Sequence, residues 1–180
     1  MFHRFSKLRY RFLFFFVLIL LAFTARAQAQ TGNWIEQLDL SQYENKVVYI
    51  DFWASWCRPC RKSFPWINAM QKKYQDQGLV VIGINLDSDI EKAYNFLKQT
   101  PAEFKLVSDP KGTLADQYKL IGMPSSLVLD VNREVRHRHV GFKKSIIDEY
   151  EKSIVMLLNE LNPPQLSREA GPDATGSKEN

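Results

Sequence analysis

The stretch Val47-Val48-Tyr49-Ile50-Asp51-Phe52-Trp53-Ala54-Ser55-Trp56-Cys57-Arg58-Pro59-Cys60 limits the possible folds more than any other part of the chain. Its first half is apolar, β-branched and aromatic, as in a central strand covered on both faces. From Cys57 onward, Phe64, Ile67, Met70 and Tyr74 recur every three to four residues, which is the spacing of a helix with one buried side. The expected unit is a buried strand feeding a helix that opens with two cysteines. Unpaired N–H groups and the positive end of the dipole at a helix start favour an ionised thiol. Arg58, Arg61 and Lys62 push in the same direction. An ordinary cysteine, with a pKa of about 8.5, carries little thiolate at neutral pH, so this placement makes Cys57 the better nucleophile. Cys60 lies one turn on, close enough to close a disulfide and release a trapped partner. The chemistry expected is reversible thiol–disulfide exchange. Half of a zinc site is the competing reading; it needs two further ligands.

Asp51 interrupts the apolar strand six residues before Cys57. A buried carboxylate is costly unless protonated or paired, so a raised pKa and an acid–base role are expected; a bulge facing water is the alternative. Trp56 is expected to form an apolar rim where a partner docks, whereas Phe52 and Trp53 belong to the core.

The chain has 180 residues and 2 cysteines, both used by the motif, so no separate structural disulfide is expected. Its net charge of +4 is misleading. Arg4, Lys7, Arg9, Arg11 and Arg26 lie in a first segment without acidic residues; taking those five from 24 basic residues leaves 19 against 20 acidic ones. The charge is therefore no argument for nucleic-acid binding. The first segment has a basic start, an apolar run from Phe12 to Phe23, and small residues at Ala25 and Ala27. It reads as a secretory signal peptide over 1–27, cut after Ala27 or Ala29, with an uncleaved membrane anchor as the alternative. The apolar run falls short of the roughly 20 residues a spanning helix needs. Export would place the Cys57/Cys60 pair in an oxidising compartment.

Further along, Leu38-Asp39-Leu40 reads as a short strand and Leu79–Leu86 as a second buried strand, parallel to the first. A helix is expected over Asp89–Lys98, a strand over Phe104–Val107, a turn at Asp109–Gly112 and a short helix over Thr113–Tyr118. Gly122-Met123-Pro124 leads into a strand, Asp130–Arg133 connects it to an antiparallel partner over Glu134–Val140, and a final helix carries Ile146, Ile147, Tyr150, Ile154, Leu157, Leu158 and Leu161 on one stripe. Pro163-Pro164 closes a domain spanning 34–161, and the polar segment 165–180 reads as a disordered tail. His137 and His139, at i and i+2, share one strand face; a solvated face is expected there rather than a metal pair.

Asp51-Phe52-Trp53-Ala54-Ser55-Trp56-Cys57-Arg58-Pro59-Cys60 resembles the active-site signature of the thioredoxin superfamily. The flanking Leu40–Val48 and the later insert resemble its exported TlpA/ResA-like branch. The resemblance implies an α/β thioredoxin fold, a central mixed β-sheet flanked by helices, with a TlpA/peroxiredoxin-type helix–strand insert. It implies that Asp51 lies beneath the cysteines and helps Cys60 lose its proton. The lysine that faces this acid in thioredoxins aligns with Gly83 here. Pro124 matches the proline held in cis opposite the cysteines, whose preceding residue, Met123, pairs with substrate; Pro65 matches the kinking proline of the helix. The branch further implies an exported, monomeric protein-disulfide reductase without cofactor or metal. Its partners would be cysteine-containing exported proteins, such as the Cys-x-x-Cys-His of apocytochrome c in cytochrome c biogenesis, and a membrane electron donor. Some members place a functional acid near the start of the insert, where Asp87 and Asp89 lie; helix capping is the expected role here. The alternatives are a Cu(I)-binding chaperone using Cys57 and Cys60, and the oxidase or isomerase direction of the same exchange. A thiol peroxidase is disfavoured, because the Thr-x-x-Cys pattern is missing.

Overall fold

The structure, a computed structural model, describes residues 34, 35 and 37–163. The chain divides into two units, 1–34 and 35–180, and apart from Trp34 the described residues belong to the second. The expected signal segment 1–27 and tail 165–180 lie outside the described residues.

The buried strand of the motif is β2 (Val47–Trp53), every residue of which is buried. It feeds α1 (Arg58–Tyr74), for which Cys57 is the N-cap. Gly78 then turns the chain in the left-handed region (φ 105°), which glycine adopts without strain. The second buried strand, β3 (Leu79–Asn85), pairs parallel with β2, in register from Val47 opposite Leu79 to Trp53 opposite Asn85. Next come α2 (Ile90–Gln99), capped by Asp89, and β4 (Lys105–Ser108), parallel to β3. After α3 (Thr113–Gln117), β5 (Ser125–Leu129) and β6 (Val135–Val140) add antiparallel strands, and α4 (Ile147–Leu161) ends the fold. With β1 (Trp34–Ile35) at one edge, the mixed sheet has the order β1-β4-β3-β2-β5-β6.

The alternation of β2 divides the core in two. Val48, Ile50 and Phe52 join Ile82, Ile84, Val107, Leu127 and Leu129 under α3, with Leu114, Tyr118 and Leu120 packed against them. Tyr49, Asp51 and Trp53 point to the other face, beneath α1, α2 and α4. There the Trp53 ring meets Phe64 and Phe96 at centroid distances of 5.1 and 4.9 Å, and Trp66 bridges Tyr49 and Tyr150. Lys73 and Tyr74 of α1 both donate to Glu151 of α4 and tie the two helices together.

The expected strand at Leu38–Leu40 is not formed. The Asp39 carboxylate accepts from the Ser41 amide and hydroxyl and starts a 3-10 turn over Leu40–Tyr43. A short acidic side chain bonded to the backbone two residues on competes with strand pairing.

Candidate functional site

The site lies at the carboxyl ends of β2 and β3, where the chain leaves the sheet. Cys57 and Cys60 are disulfide-bonded, with Cα atoms 5.3 Å apart, and the Cys60 amide donates to Cys57 Sγ at 3.3 Å. Cys57 therefore occupies the N-cap, where a free helical N–H meets sulfur. Cys60 is fully buried and Cys57 almost so. Trp56 stands out beside them at 66% exposure, while Phe52 and Trp53 are core. Of the three expected cations, Arg61 is occupied elsewhere: its guanidinium lies 4.6 Å from the Phe96 ring centroid and donates to Gln99 and Thr100.

Asp51 is 2% exposed and its Oδ2 has no hydrogen-bond partner. Burial alone pushes its pKa well above the usual carboxylate range. Its parallel neighbour is Gly83, the position where a thioredoxin would have its lysine. A side chain does not fit there, since a Cβ on Gly83 would lie 2.8 Å from Phe104 and 3.1 Å from Leu106 and from Trp53 Nε1. Aromatic packing fills the space of the missing cation, which leaves the acid uncompensated.

The Met123–Pro124 peptide is cis. Because β5 pairs with β2 through Phe52 opposite Ser125 and Asp51 opposite Ser126, Pro124 falls at the end of β2 from which the cysteine loop departs. Pro124 is buried and its carbonyl accepts from Gly141 N at 2.7 Å. Met123 is half-buried, and Ile121, two residues earlier, is 86% exposed. The fold thus gathers Asp51, Cys57, Cys60 and Pro124 at one end of the central strands, with Trp56 exposed beside them.

Two groups lie elsewhere than the sequence suggests. Asp89 caps α2 as expected, by accepting from Glu91 N at 3.1 Å, but Asp87 does not. Asp87 is buried and reaches back to the cysteine loop: Oδ2 accepts from Ser55 N at 2.8 Å, Oδ1 from the Ser55 hydroxyl at 2.7 Å, and Oδ2 also from Asn85 Nδ2 at 2.8 Å. These bonds fix the loop two residues before Cys57. The only sequence signal was an Asn-x-Asp at the end of an apolar strand. The histidines, expected on a solvated face, are not on one. His139 is buried under α4, stacked on Tyr150 at 4.0 Å, with Nε2 3.0 Å from Ser153 Oγ; His137 is half-buried and parallel to it at 6.4 Å. A helix stripe that includes Tyr150 covers the histidine side of β6, which a strand read in isolation does not disclose. Among the described residues, no group of three or more His, Cys, Asp or Glu is placed to hold a metal ion.

The family model for Redoxin matches residues 23–154. The chain belongs to the redoxin family. The thiol-disulfide oxidoreductase ResA of Bacillus thuringiensis subsp. konkukian is 30% identical over 120 residues, covering 66% of this chain and 69% of that one. ResA of Bacillus subtilis is 27% identical over 116 residues, covering 64% and 65%. A Chlorobium tepidum crystal structure, solved as a candidate thiol:disulfide interchange protein DsbE, superposes with a TM-score of 0.66 at 46% identity, covering 67% of this chain and 86% of that one. The fold is that of the thioredoxin superfamily, with the α2–β4 insert expected of the TlpA/ResA-like branch.

Proposed function

We propose that this redoxin is an exported, monomeric thiol–disulfide oxidoreductase that reduces disulfides of other exported proteins. The observation that carries the reading is the Cys57–Cys60 pair at the start of α1, closed as a disulfide at the end of β2 where Asp51 and Pro124 converge. In the dithiol form, the Cys57 thiolate attacks one sulfur of a substrate disulfide and the other substrate sulfur leaves as a thiolate that takes a proton from solvent. Asp51 takes the Cys60 proton. Cys60 then attacks Cys57 Sγ, breaks the mixed disulfide and releases the second substrate sulfur as a thiolate that takes a proton from solvent, which leaves the Cys57–Cys60 disulfide. Two electrons pass to the substrate, and a membrane-bound donor restores the dithiol. Trp56 and the Met123 backbone hold the substrate segment. The ResA relatives, named thiol-disulfide oxidoreductases, support the exchange chemistry, and the resemblance to the TlpA/ResA-like branch supports the reductive direction and apocytochrome c as a substrate class. The basic-then-apolar segment 1–27 supports export, with 34–161 as the working domain and 165–180 as a tail.

Equilibrating the protein with glutathione buffers of graded potential tests the direction. A midpoint below about −200 mV fits a reductase. A value near −120 mV, in the range of strong oxidants, overturns the reductive reading.

A further inference from the structure

We propose that an apolar groove beside the Pro124 loop, rimmed by Lys119 and Arg138, selects substrates whose cysteine is flanked by an apolar residue and an acidic one. The inference rests on the exchange reading above and names the substrate class of that site. The groove lies on the α3 face of the sheet at its β6 edge and has a volume of about 290 Å³. Leu120, Ile121, Leu127 and Val140 make it apolar, and its first β5 residue, Ser125, directly follows Pro124. Val140 stands opposite Ser125, and Arg138 opposite Leu127, so β5 and β6 present these side chains to one face. The Gly141 amide, next to Val140, donates to the Pro124 carbonyl at 2.7 Å and joins the groove to the end of the sheet where the cysteines lie. From Ser125 to Leu127 the strand rises about 7 Å, the length of about two extended residues.

Two properties fix the occupant. The first is exposed aliphatic surface gathered round a concavity: Ile121 is 86% and Val140 50% exposed. Such side chains scattered singly mean little, but grouped at a groove they mark a docking surface. The second is charge. No acidic residue lines the groove, and neither Lys119 nor Arg138 is in an ion pair; those among the described residues use Lys73 and Arg136. Arg138 Nη1 donates to the Tyr118 carbonyl at 2.7 Å, which pins the guanidinium beside the segment carrying Lys119 and leaves its charge uncompensated. Lys119 itself follows α3 with φ 53°, a left-handed position where a helix end favours glycine or asparagine. Backbone strain of this kind gathers at binding sites. Gly122 lets the segment close on β6, since a Cβ there would lie 3.3 Å from Val140 Cγ1. An apolar slot about two residues long between two unpaired cations accepts an apolar–acidic pair and repels an apolar–basic one.

The test is single-turnover reduction, by the full chain in its dithiol form, of disulfide-bonded peptides in which Leu-Glu, Leu-Lys or Ser-Glu flanks the cysteine on both sides. At low salt the second-order rate constant for Leu-Glu is expected to exceed that for Leu-Lys about fivefold and that for Ser-Glu about threefold. The charge preference shrinks toward unity in about 0.5 M salt, whereas the preference for Leu over Ser persists. Lys119→Glu reverses the order of Leu-Glu and Leu-Lys, and Ile121→Ser removes the advantage of Leu over Ser. Each readout is a ratio within one protein, so a merely destabilised variant does not mimic it. Should Lys119→Glu not fold, Ile121→Ser decides, because it changes an exposed side chain. Equal rates for the three peptides, or preferences that both substitutions leave in place, overturn the proposal. A dimer in sedimentation that Ile121→Ser dissociates assigns the groove to a second copy of the chain. Binding to phosphatidylglycerol vesicles that Lys119→Glu abolishes, without any peptide preference, assigns it to a lipid surface; either result also overturns the proposal. A wild-type chain that reduces none of the peptides refutes the exchange reading and this proposal with it, whereas equal rates refute this proposal alone.

Discussion

Replacing Asp51 with alanine in the disulfide form is expected to raise stability at neutral pH and to lower it in acid. Two opposing quantities set the magnitude. At neutral pH the buried carboxyl must either stay protonated or ionise without a partner, which costs the folded state about 1–3 kcal/mol. The alanine leaves a void of about 40 Å³, which costs about 1 kcal/mol at ~24 cal/mol per Å³. At pH 8 the net is a gain of up to about 2 kcal/mol, since desolvation exceeds the void term. The sign reverses in acid because the pKa of Asp51 is raised in the folded state. The native protein then binds more protons than the unfolded chain above about pH 3.9, so wild-type stability falls as pH rises through that window toward the folded pKa. Below it both states hold a neutral acid, and only the void cost of about 1 kcal/mol remains. Urea midpoints of the oxidised protein from pH 3 to 8 measure this without interference from thiol titration. A stability difference that is flat with pH, or a variant more than about 2 kcal/mol less stable at pH 8, refutes the picture of an uncompensated buried carboxyl group.

Other changes probe the surrounding scaffold. Asp87→Ala leaves Ser55 and Asn85 donors without an acceptor and is expected to cost about 2–4 kcal/mol in a denaturant titration, with the 54–56 loop newly sensitive to proteolysis. Gly83→Ala drives a methyl into Phe104 and Leu106 and is expected to cost about 1–3 kcal/mol by thermal unfolding. Trp56→Ala is expected to change stability by less than about 0.5 kcal/mol but to raise KM severalfold for a protein substrate, with little change for a small disulfide.

Much of this site is readable along the chain because its parts lie in local sequence. The apolar run into Cys57 specifies strand, loop and helix start together, and the acid inside that run marks a carboxylate that burial must perturb. What stays hidden depends on pairing across the sheet. That Gly83 stands beside Asp51 is visible by alignment, but that Phe104 and Leu106 fill the gap requires the β3–β4 register. Asp87 looks like a helix cap because Asp89 is one, and only the parallel pairing of β2 with β3 brings it to Ser55. His139 looks solvated until α4 is laid over β6. Asp39 misleads in the other direction: its side chain captures Ser41 and turns a strand-like Leu38–Leu40 into a helical turn.

The exchange chemistry depends on the helix start making Cys57 the ionised, attacking thiol. The most direct measurement is the rate of alkylation of the reduced protein by iodoacetamide as a function of pH, with the labelled residue identified by mass. Cys57 is expected to react first, with a midpoint clearly below the ~8.5 of an ordinary cysteine, and Cys60 far more slowly. A midpoint at or above that value, or equal labelling of the two cysteines, would contradict it.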